Sequence, residues 1–294
     1  MNGSKEERKM RDKIEGFGKG SVIQHGKMNN RVYLMKLNKA DFPAVIDHVS
    51  QLANANSYTK IFCKVPSWAA PEFISNGFIV EAHIPDFYHN RTDVFFLSKF
   101  TDSDRLRKIE HNELEALTRE LSSDMIHEIP HALSNGFSIS ALGPEQSQEI
   151  AGLYGRVFES YPFPIHDPDY ILQTIGSHIR YFGVLHDHQL VALASAETDP
   201  EGGNAEMTDF ATLPEFRGHN LSVILLNTME QKMKEQGIST LYTIARLNST
   251  AMNKTFLKLK YKYAGTLIMN TNISGNMESM NVYYKHIHRK GSGQ

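Results

Sequence analysis

The run Leu213-Pro214-Glu215-Phe216-Arg217-Gly218-His219-Asn220-Leu221-Ser222 places a cation, a glycine and small polar residues directly before an apolar helical pattern. That combination is suited to binding phosphate. Before it, Glu206 to Thr212 alternates as a strand, with Met207, Asp209 and Ala211 on one face and Glu206, Thr208 and Phe210 on the other. After it, Leu221, Ile224, Leu225, Met229 and Met233 recur at helical spacing up to a stop signal at Gly237. The turn therefore joins a strand to a helix N-terminus, where unpaired backbone N–H groups and the positive end of the helix dipole attract an anion. Gly218 allows close backbone approach, so the predicted ligand is a phosphate or pyrophosphate.

These residues resemble the coenzyme A loop of GNAT-type acetyltransferases, in which Arg or Gln, two residues, Gly, one residue, then Gly or Ala follow a Pro-Glu-aromatic tripeptide. Arg217 and Gly218 match as they stand, while Asn220 and Ser222 occupy the two later glycine positions. Asn is the non-glycine residue that most readily takes positive φ, and Ser is small. The resemblance continues through Asn248, Ala251, Phe256-Leu257-Lys258, Tyr261 and Gly265. It implies acetyl-CoA as cosubstrate, held by Leu213, Arg217, Gly218, His219, Asn220, Leu221 and Ser222, with Asn248 and Phe256 beside it.

Phe256 stands where many members carry a Tyr that protonates the leaving thiolate, and it has no hydroxyl to do so. Another tyrosine, such as Tyr261 or Tyr263, or a water would replace it, or the thiolate would leave unprotonated. An alkyl amine with a pKa of about 10.4 must lose a proton before or during attack on a thioester. Glu206 is the first candidate base, since several family members hold a catalytic Glu on this strand. Asp209 is the second; an ideal strand points it to the opposite face, and a bulge would change that.

A narrower resemblance, to the β-lysine N-acetyltransferases, rests on the C-terminal run Gly265-Thr266-Leu267, Asn270-Thr271-Asn272-Ile273 and Glu278 to Lys285. It also rests on Ser160-Tyr161-Pro162-Phe163-Pro164 and on Gly77-Phe78, Glu81-Ala82 and Ile84. It implies acetylation of the terminal (N6) amine of β-lysine to Nε-acetyl-β-lysine, a compatible solute used against salt stress, with the acceptor supplied by a lysine 2,3-aminomutase. The stiff aromatic loop would border the acceptor through Tyr161 and Phe163, and Asp167 and Asp169 beside it could pair with an ammonium. Glu278 or Asp209 would hold the retained amine, and Arg180 or Arg246 the carboxylate. Another small amine or a protein lysine as acceptor, and a non-catalytic acetyl-CoA sensor, are the alternatives.

The elements that must position these groups follow from the periodicity. Val32 to Leu37 reads as a strand, Asp41 to Leu52 as a capped helix, Lys60 to Val65 as a strand and Trp68 to Ser75 as a short helix, before Gly77-Phe78 and strands at Ile79 to Ile84 and Val94 to Lys99. This is the order of the later half of a GNAT domain, without a phosphate loop. The expected fold is α+β, a GNAT fold with a central, mostly antiparallel mixed sheet flanked by helices, plus an N-terminal partial GNAT-like α+β domain. The expected division is a flexible leader over 1–18, the N-terminal domain over 19–101, a helical connector over 102–136, with a helix from Ser103 to Ser123, the catalytic domain over 137–288 and a tail over 289–294. In the catalytic domain Ser138 to Ala141 is the first strand, a helix runs towards Phe158, and Tyr181 to Leu185 and Leu190 to Glu197 form a hairpin.

Composition narrows the function class. A chain of 294 residues with 40% hydrophobic content can fill two cores. A net charge of -2 offers no footprint for nucleic acid. The single cysteine, Cys63, excludes an intrachain disulfide and a multi-cysteine zinc site, and His186 and His188 lie in a hairpin turn with no third ligand, so no metal is expected. No apolar run is long enough to cross a bilayer, and the polar N-terminus has no signal region, which points to the cytoplasm. A homodimer would suit this fold.

Overall fold

The computed structural model describes residues 12–108, 110–121, 133, 136–159, 161–273 and 275–287. Ser160, the first residue of the expected leader through Arg11, and the expected tail lie outside the described residues. Among the described residues, thirteen strands form one continuous mixed sheet. The N-terminal half contributes β1 (Lys13–Phe17), β2 (Ser21–Gly26), β3 (Arg31–Lys36), helix α1 (Ala44–Asn56), β4 (Lys60–Pro66), helix α2 (Ala70–Ser75), β5 (Ile79–Tyr88) and β6 (Thr92–Phe100). Two short helices follow, α3 (Ser103–Arg107) and α4 (His111–Leu121), where one helix from Ser103 to Ser123 was expected. The C-terminal half holds β7 (Phe137–Leu142), α5 (Ser147–Val157), α6 (Pro168–Ile175), β8 (Ile179–His186), β9 (Gln189–Asp199), β10 (Asn204–Thr212), α7 (Leu221–Glu235), β11 (Thr240–Arg246), α8 (Thr250–Lys258), β12 (Lys262–Ile273) and β13 (Asn276–His286).

Part of the expected leader is a strand, since Lys13–Phe17 pairs antiparallel with Ser21–Gly26 at the sheet edge. Strand order is β1-β2-β3-β4-β6-β5-β12-β13-β11-β10-β9-β8-β7. β3 runs parallel to β4, with β6 and then β5 antiparallel beyond it. β10 runs parallel to β11, with β13 and then β12 antiparallel beyond it. The same strand-helix-strand-helix-strand-strand connectivity therefore occurs twice. The two copies meet edge to edge through their equivalent strands, β5 and β12.

That junction is narrow. Its backbone register pairs Gly265 with Ala82, and a Cβ on Gly265 would lie 2.1 Å from the Glu81 carbonyl oxygen, so only glycine permits the approach. Buried Lys60 and Glu81 reinforce it, Lys60 Nζ donating to Glu81 Oε2 at 2.9 Å and to the Ile268 carbonyl at 2.7 Å, while Ile268 N–H donates to Glu81 Oε1 at 2.8 Å. Burial lowers the Lys60 ammonium to about 7 against the attraction of Glu81.

The core has three parts. Alternate strand residues of the N-terminal half, such as Val32, Leu34, Ile61 and Cys63, pack against Val45, Val49 and Phe73 of its helices. In the C-terminal half Val191, Leu193, Met207 and Leu241 pack against Ile150, Leu225 and Met229. The opposite, inner faces of the two sheet copies share a third cluster that includes Tyr33, Phe62, Phe96, Tyr242 and Val282. This alternation of the strand faces between helix layer and inner cluster is what a sheet covered on both sides requires. No helix among the described residues is long and apolar enough to cross a membrane.

Candidate active site

The phosphate-loop geometry follows from the local sequence. Pro214–Phe216 forms one 3-10 turn, Gly218 takes φ +88° and Asn220 φ +56°, and α7 begins at Leu221. Two left-handed residues on either side of His219 curl the chain so that successive N–H groups face one concavity. Among the described residues, the backbone N–H groups of Gly218 to Ser222 find no acceptor. A Cβ on Gly218 would meet nothing within 4 Å, which leaves open space beside the loop. Arg217, His219 and Asn220 are exposed, Ser222 partly so. The side chains of Leu213 and Leu221 are instead core residues, and Leu213 N–H donates to the Val191 carbonyl at 3.0 Å. Their part is to anchor the loop.

Beside the loop, the sheet opens. β10 and β11 are paired only where Asn204, Ala205 and Glu206 face Thr240, Leu241 and Tyr242; beyond Glu206 they diverge. On its other side β10 loses register with β9 between Thr208 and Ala211, and Asp209 there takes φ +56°. This bulge overturns the expected alternation. Met207 and Ala211 stay in the core, while Asp209 joins Glu206, Thr208 and Phe210 in lining a cavity of about 270 Å³.

Three carboxylates, Glu197, Glu206 and Asp209, share that cavity. Burial raises all three above the usual carboxylate range, and Glu197 is raised further by the charges of Glu206 and Asp209. Asp209 is held by Ser195 Oγ at 2.6 Å and by the Tyr161 hydroxyl, and these bonds oppose its rise. Glu206 accepts from the Tyr242 hydroxyl, and Lys64 Nζ donates to that hydroxyl at 3.0 Å; Lys64 and Tyr242 both pull Glu206 back down. Lys64 belongs to β4, so the cavity draws on both halves of the chain. Tyr33 of β3 faces the same carboxylates.

The remaining expected residues divide. Tyr161 and Phe163 line the cavity. Glu278 does not offer a free carboxylate: Arg246 Nε and Nη2 reach its two oxygens at 2.8 and 2.7 Å, so the two proposed substrate-binding charges neutralise each other. Arg180 and Asp169 are exposed, and Asp167 accepts from Asp169 N–H as the cap of α6. None of the three lines the cavity. Asn248 Nδ2 donates to Glu110 Oε1 at 3.1 Å, in a groove beside α4. Phe256 is buried, stacked on Tyr283 with ring centroids 6.0 Å apart, and lines the cavity. Tyr261 and Tyr263 lie off the cavity; the tyrosines on it are Tyr33, Tyr161 and Tyr242.

A turn with unpaired N–H groups at a helix N-terminus, a gap between two parallel strands and a half-buried carboxylate beside it together suit a coenzyme thioester and an amine. The Acetyltransferase (GNAT) family model matches residues 148–261, which contain all three. The chain is 38% identical over 266 residues to a Beta-lysine N(6)-acetyltransferase of Methanococcus maripaludis, covering 90% of this chain and 96% of the relative. This chain belongs to the GNAT acetyltransferase family. A second protein named Beta-lysine N(6)-acetyltransferase, from Methanosarcina mazei, is 35% identical over 51% of this chain and 56% of its own length. The N-acetyltransferase YodP of Bacillus subtilis is 28% identical over 93% of this chain and 98% of its own. The protein is an N-acetyltransferase with acetyl-CoA as its cosubstrate, and its sheet is the GNAT sheet, mixed and flanked by helices.

Sequence reasoning missed Glu197, Tyr242, Lys64 and Tyr33. A signal was available in each case: a charged or hydroxyl-bearing side chain inside an apolar strand, as in Ile61-Phe62-Cys63-Lys64-Val65.

Proposed function

We propose that this enzyme acetylates the terminal N6 amine of β-lysine, with Glu206 as general base. The carrying observation is the cavity itself, small, shared by three carboxylates and set against the opening between β10 and β11. A diamine enters such a site as a cation, and a cavity of about 270 Å³ fits a small molecule. Two relatives named for the same reaction support the choice of acceptor.

The loop from Arg217 to Ser222 would hold the phosphates of the coenzyme, and Gly218 would let the backbone approach them. Bound acetyl-CoA supplies the acetyl group as a thioester. Glu206 takes the proton from the N6 ammonium as the nitrogen becomes nucleophilic, and burial, which raises its affinity for protons, makes it a stronger base for that task. Tyr242 and Lys64 fix its orientation. Asp209 holds Tyr161 against the cavity and adds to the field that attracts the cationic acceptor. With no hydroxyl at Phe256, the candidates to protonate the departing thiolate are tyrosines of the cavity such as Tyr161 and Tyr242.

Acetylation removes one of the two positive charges of β-lysine and leaves a zwitterion of zero net charge, as a compatible solute requires. An aminomutase acting on lysine would supply the acceptor in the cytoplasm. The test is thiol release from acetyl-CoA with β-lysine, α-lysine, a polyamine and a histone-type peptide, with the acetylated nitrogen identified by mass spectrometry. Selective N6 acetylation of β-lysine is the expected result; preference for any other amine replaces the acceptor.

A further inference from the structure

Three cationic side chains line the cavity, and they differ in what holds them. Arg246 is saturated by Glu278, and Lys64 is bonded to Tyr242 and balanced by Glu206 and Glu197. Arg31, on β3, is 5% exposed and bonds only neutral groups: its Nη1 donates to the Asn270 carbonyl and, at 3.3 Å, to Thr271 Oγ1. No carboxylate among the described residues pairs with it, although burial leaves its pKa at about 10 and hence its charge intact at neutral pH. The charges of Asp12 and Glu81 offset that burial only in part, and an anion bound against the guanidinium would complete the compensation.

Three further facts converge on the same wall. Arg31 Nε, Gln24 Oε1 and Asn270 Oδ1 are all buried without a hydrogen-bond partner, and all three residues line the cavity. Gln24 of β2 lies opposite Tyr33, diagonal to Arg31, and Asn270 is the residue whose carbonyl Arg31 holds. One cation beside two orphaned acceptors complements a carboxylate next to an ammonium. Such vacancies clustered in one spot are uncommon in native cores.

We propose that Gln24, Arg31 and Asn270 form the subsite for the amino-carboxylate head of the acceptor, Arg31 binding the carboxylate and the two amide oxygens receiving the retained ammonium. The proposal rests on the reading of the cavity as the acceptor site. Dimensions agree with it. Arg31 and Lys64 are separated along the β3–β4 pair by roughly 13 Å of strand. An extended β-lysine spans roughly 7–8 Å from carboxylate carbon to N6, a length of the same order, so its two ends can engage different ends of the strand pair. With the head at Arg31, the N6 amine lies at the Lys64–Tyr242–Glu206 end. The N-terminal half thereby becomes the reader of the acceptor.

The test compares kcat/KM for β-lysine with that for β-lysine amide, whose head has lost its negative charge, in the wild type and in Arg31→Gln. The wild type should favour the acid by about 10- to 100-fold, and Arg31→Gln should reduce that ratio to near unity. A general folding defect would lower both rates together and leave the ratio standing. Equal use of acid and amide by the wild type, which needs no variant, overturns the proposal, as does an acid preference that survives Arg31→Gln. If another diamino acid proves to be the acceptor, the same comparison on its acid and amide tests Arg31 independently of β-lysine. Turnover confined to carboxylate-free polyamines would overturn both readings.

Discussion

Lys64 Nζ donates to the Tyr242 hydroxyl at 3.0 Å, so a strand of one half of the chain steadies the hydroxyl that orients Glu206 in the other. Removing that ammonium should make the base harder to ionise. In Lys64→Met the charge that lowers the Glu206 pKa is gone, so the folded pKa rises and the acid limb of the kcat/KM profile moves to higher pH. Rates measured across the pH range check this; a limb that stays in place would show that Lys64 does not act on the base.

Glu206→Gln keeps the size and hydrogen-bonding reach of the side chain and abolishes its basicity. Turnover should fall by about 10²- to 10⁴-fold while acetyl-CoA binding is retained. The remaining activity should rise with pH as free amine becomes available. If Glu206→Gln loses less than Asp209→Asn does, the two carboxylates exchange roles.

Arg217→Ala removes an exposed cation from the loop without touching the core. Acetyl-CoA affinity, read by calorimetry, should weaken about 3- to 10-fold, with more effect at low salt than at high. The KM for the amine should hold. A changed amine KM with unchanged coenzyme affinity would detach the loop from phosphate binding.

Gly265→Ala tests the junction. At φ +148° an added Cβ meets the Glu81 carbonyl at 2.1 Å, and backbone rather than side chain must yield. A loss of roughly 3 kcal/mol or more in denaturant unfolding is expected, from strain plus disturbance of the buried Lys60–Glu81 pair. Normal stability in this variant would mean that the β5–β12 contact contributes little to the fold.

The turn before α7 was legible in the sequence because everything that makes it is local: a proline-started turn, a glycine, and a helix start within ten residues of Leu213. The strand before it was legible too, up to Asp209, where one bulge moved the carboxylate to the other face. Periodicity alone cannot locate a bulge, since the extra residue carries no marker of its own. The acceptor side was not legible. Glu278 and Arg246 are 32 residues apart in sequence and meet only across β11 and β13. Lys64 and Tyr242 are 178 apart. The first pairing depends on strand register within one copy and the second on how the two copies face each other, and no window of sequence contains either.

The doubled connectivity sets a limit of its own. Two copies of one topology joined through equivalent strands would give a symmetric molecule with two clefts and two catalytic centres. Here β3 and β4 stand where β10 and β11 stand in the other copy, with Tyr33 and Phe62 opposite one another as Glu206 and Tyr242 are. Yet the turn after β3 carries no glycine-led anion site, only Leu37 to Asp41 leading to α1. The two copies therefore share a connectivity but not a loop, and side chains of the N-terminal copy, Tyr33 and Lys64, line the cavity beside Glu206. Separating the halves should therefore not yield a smaller working enzyme.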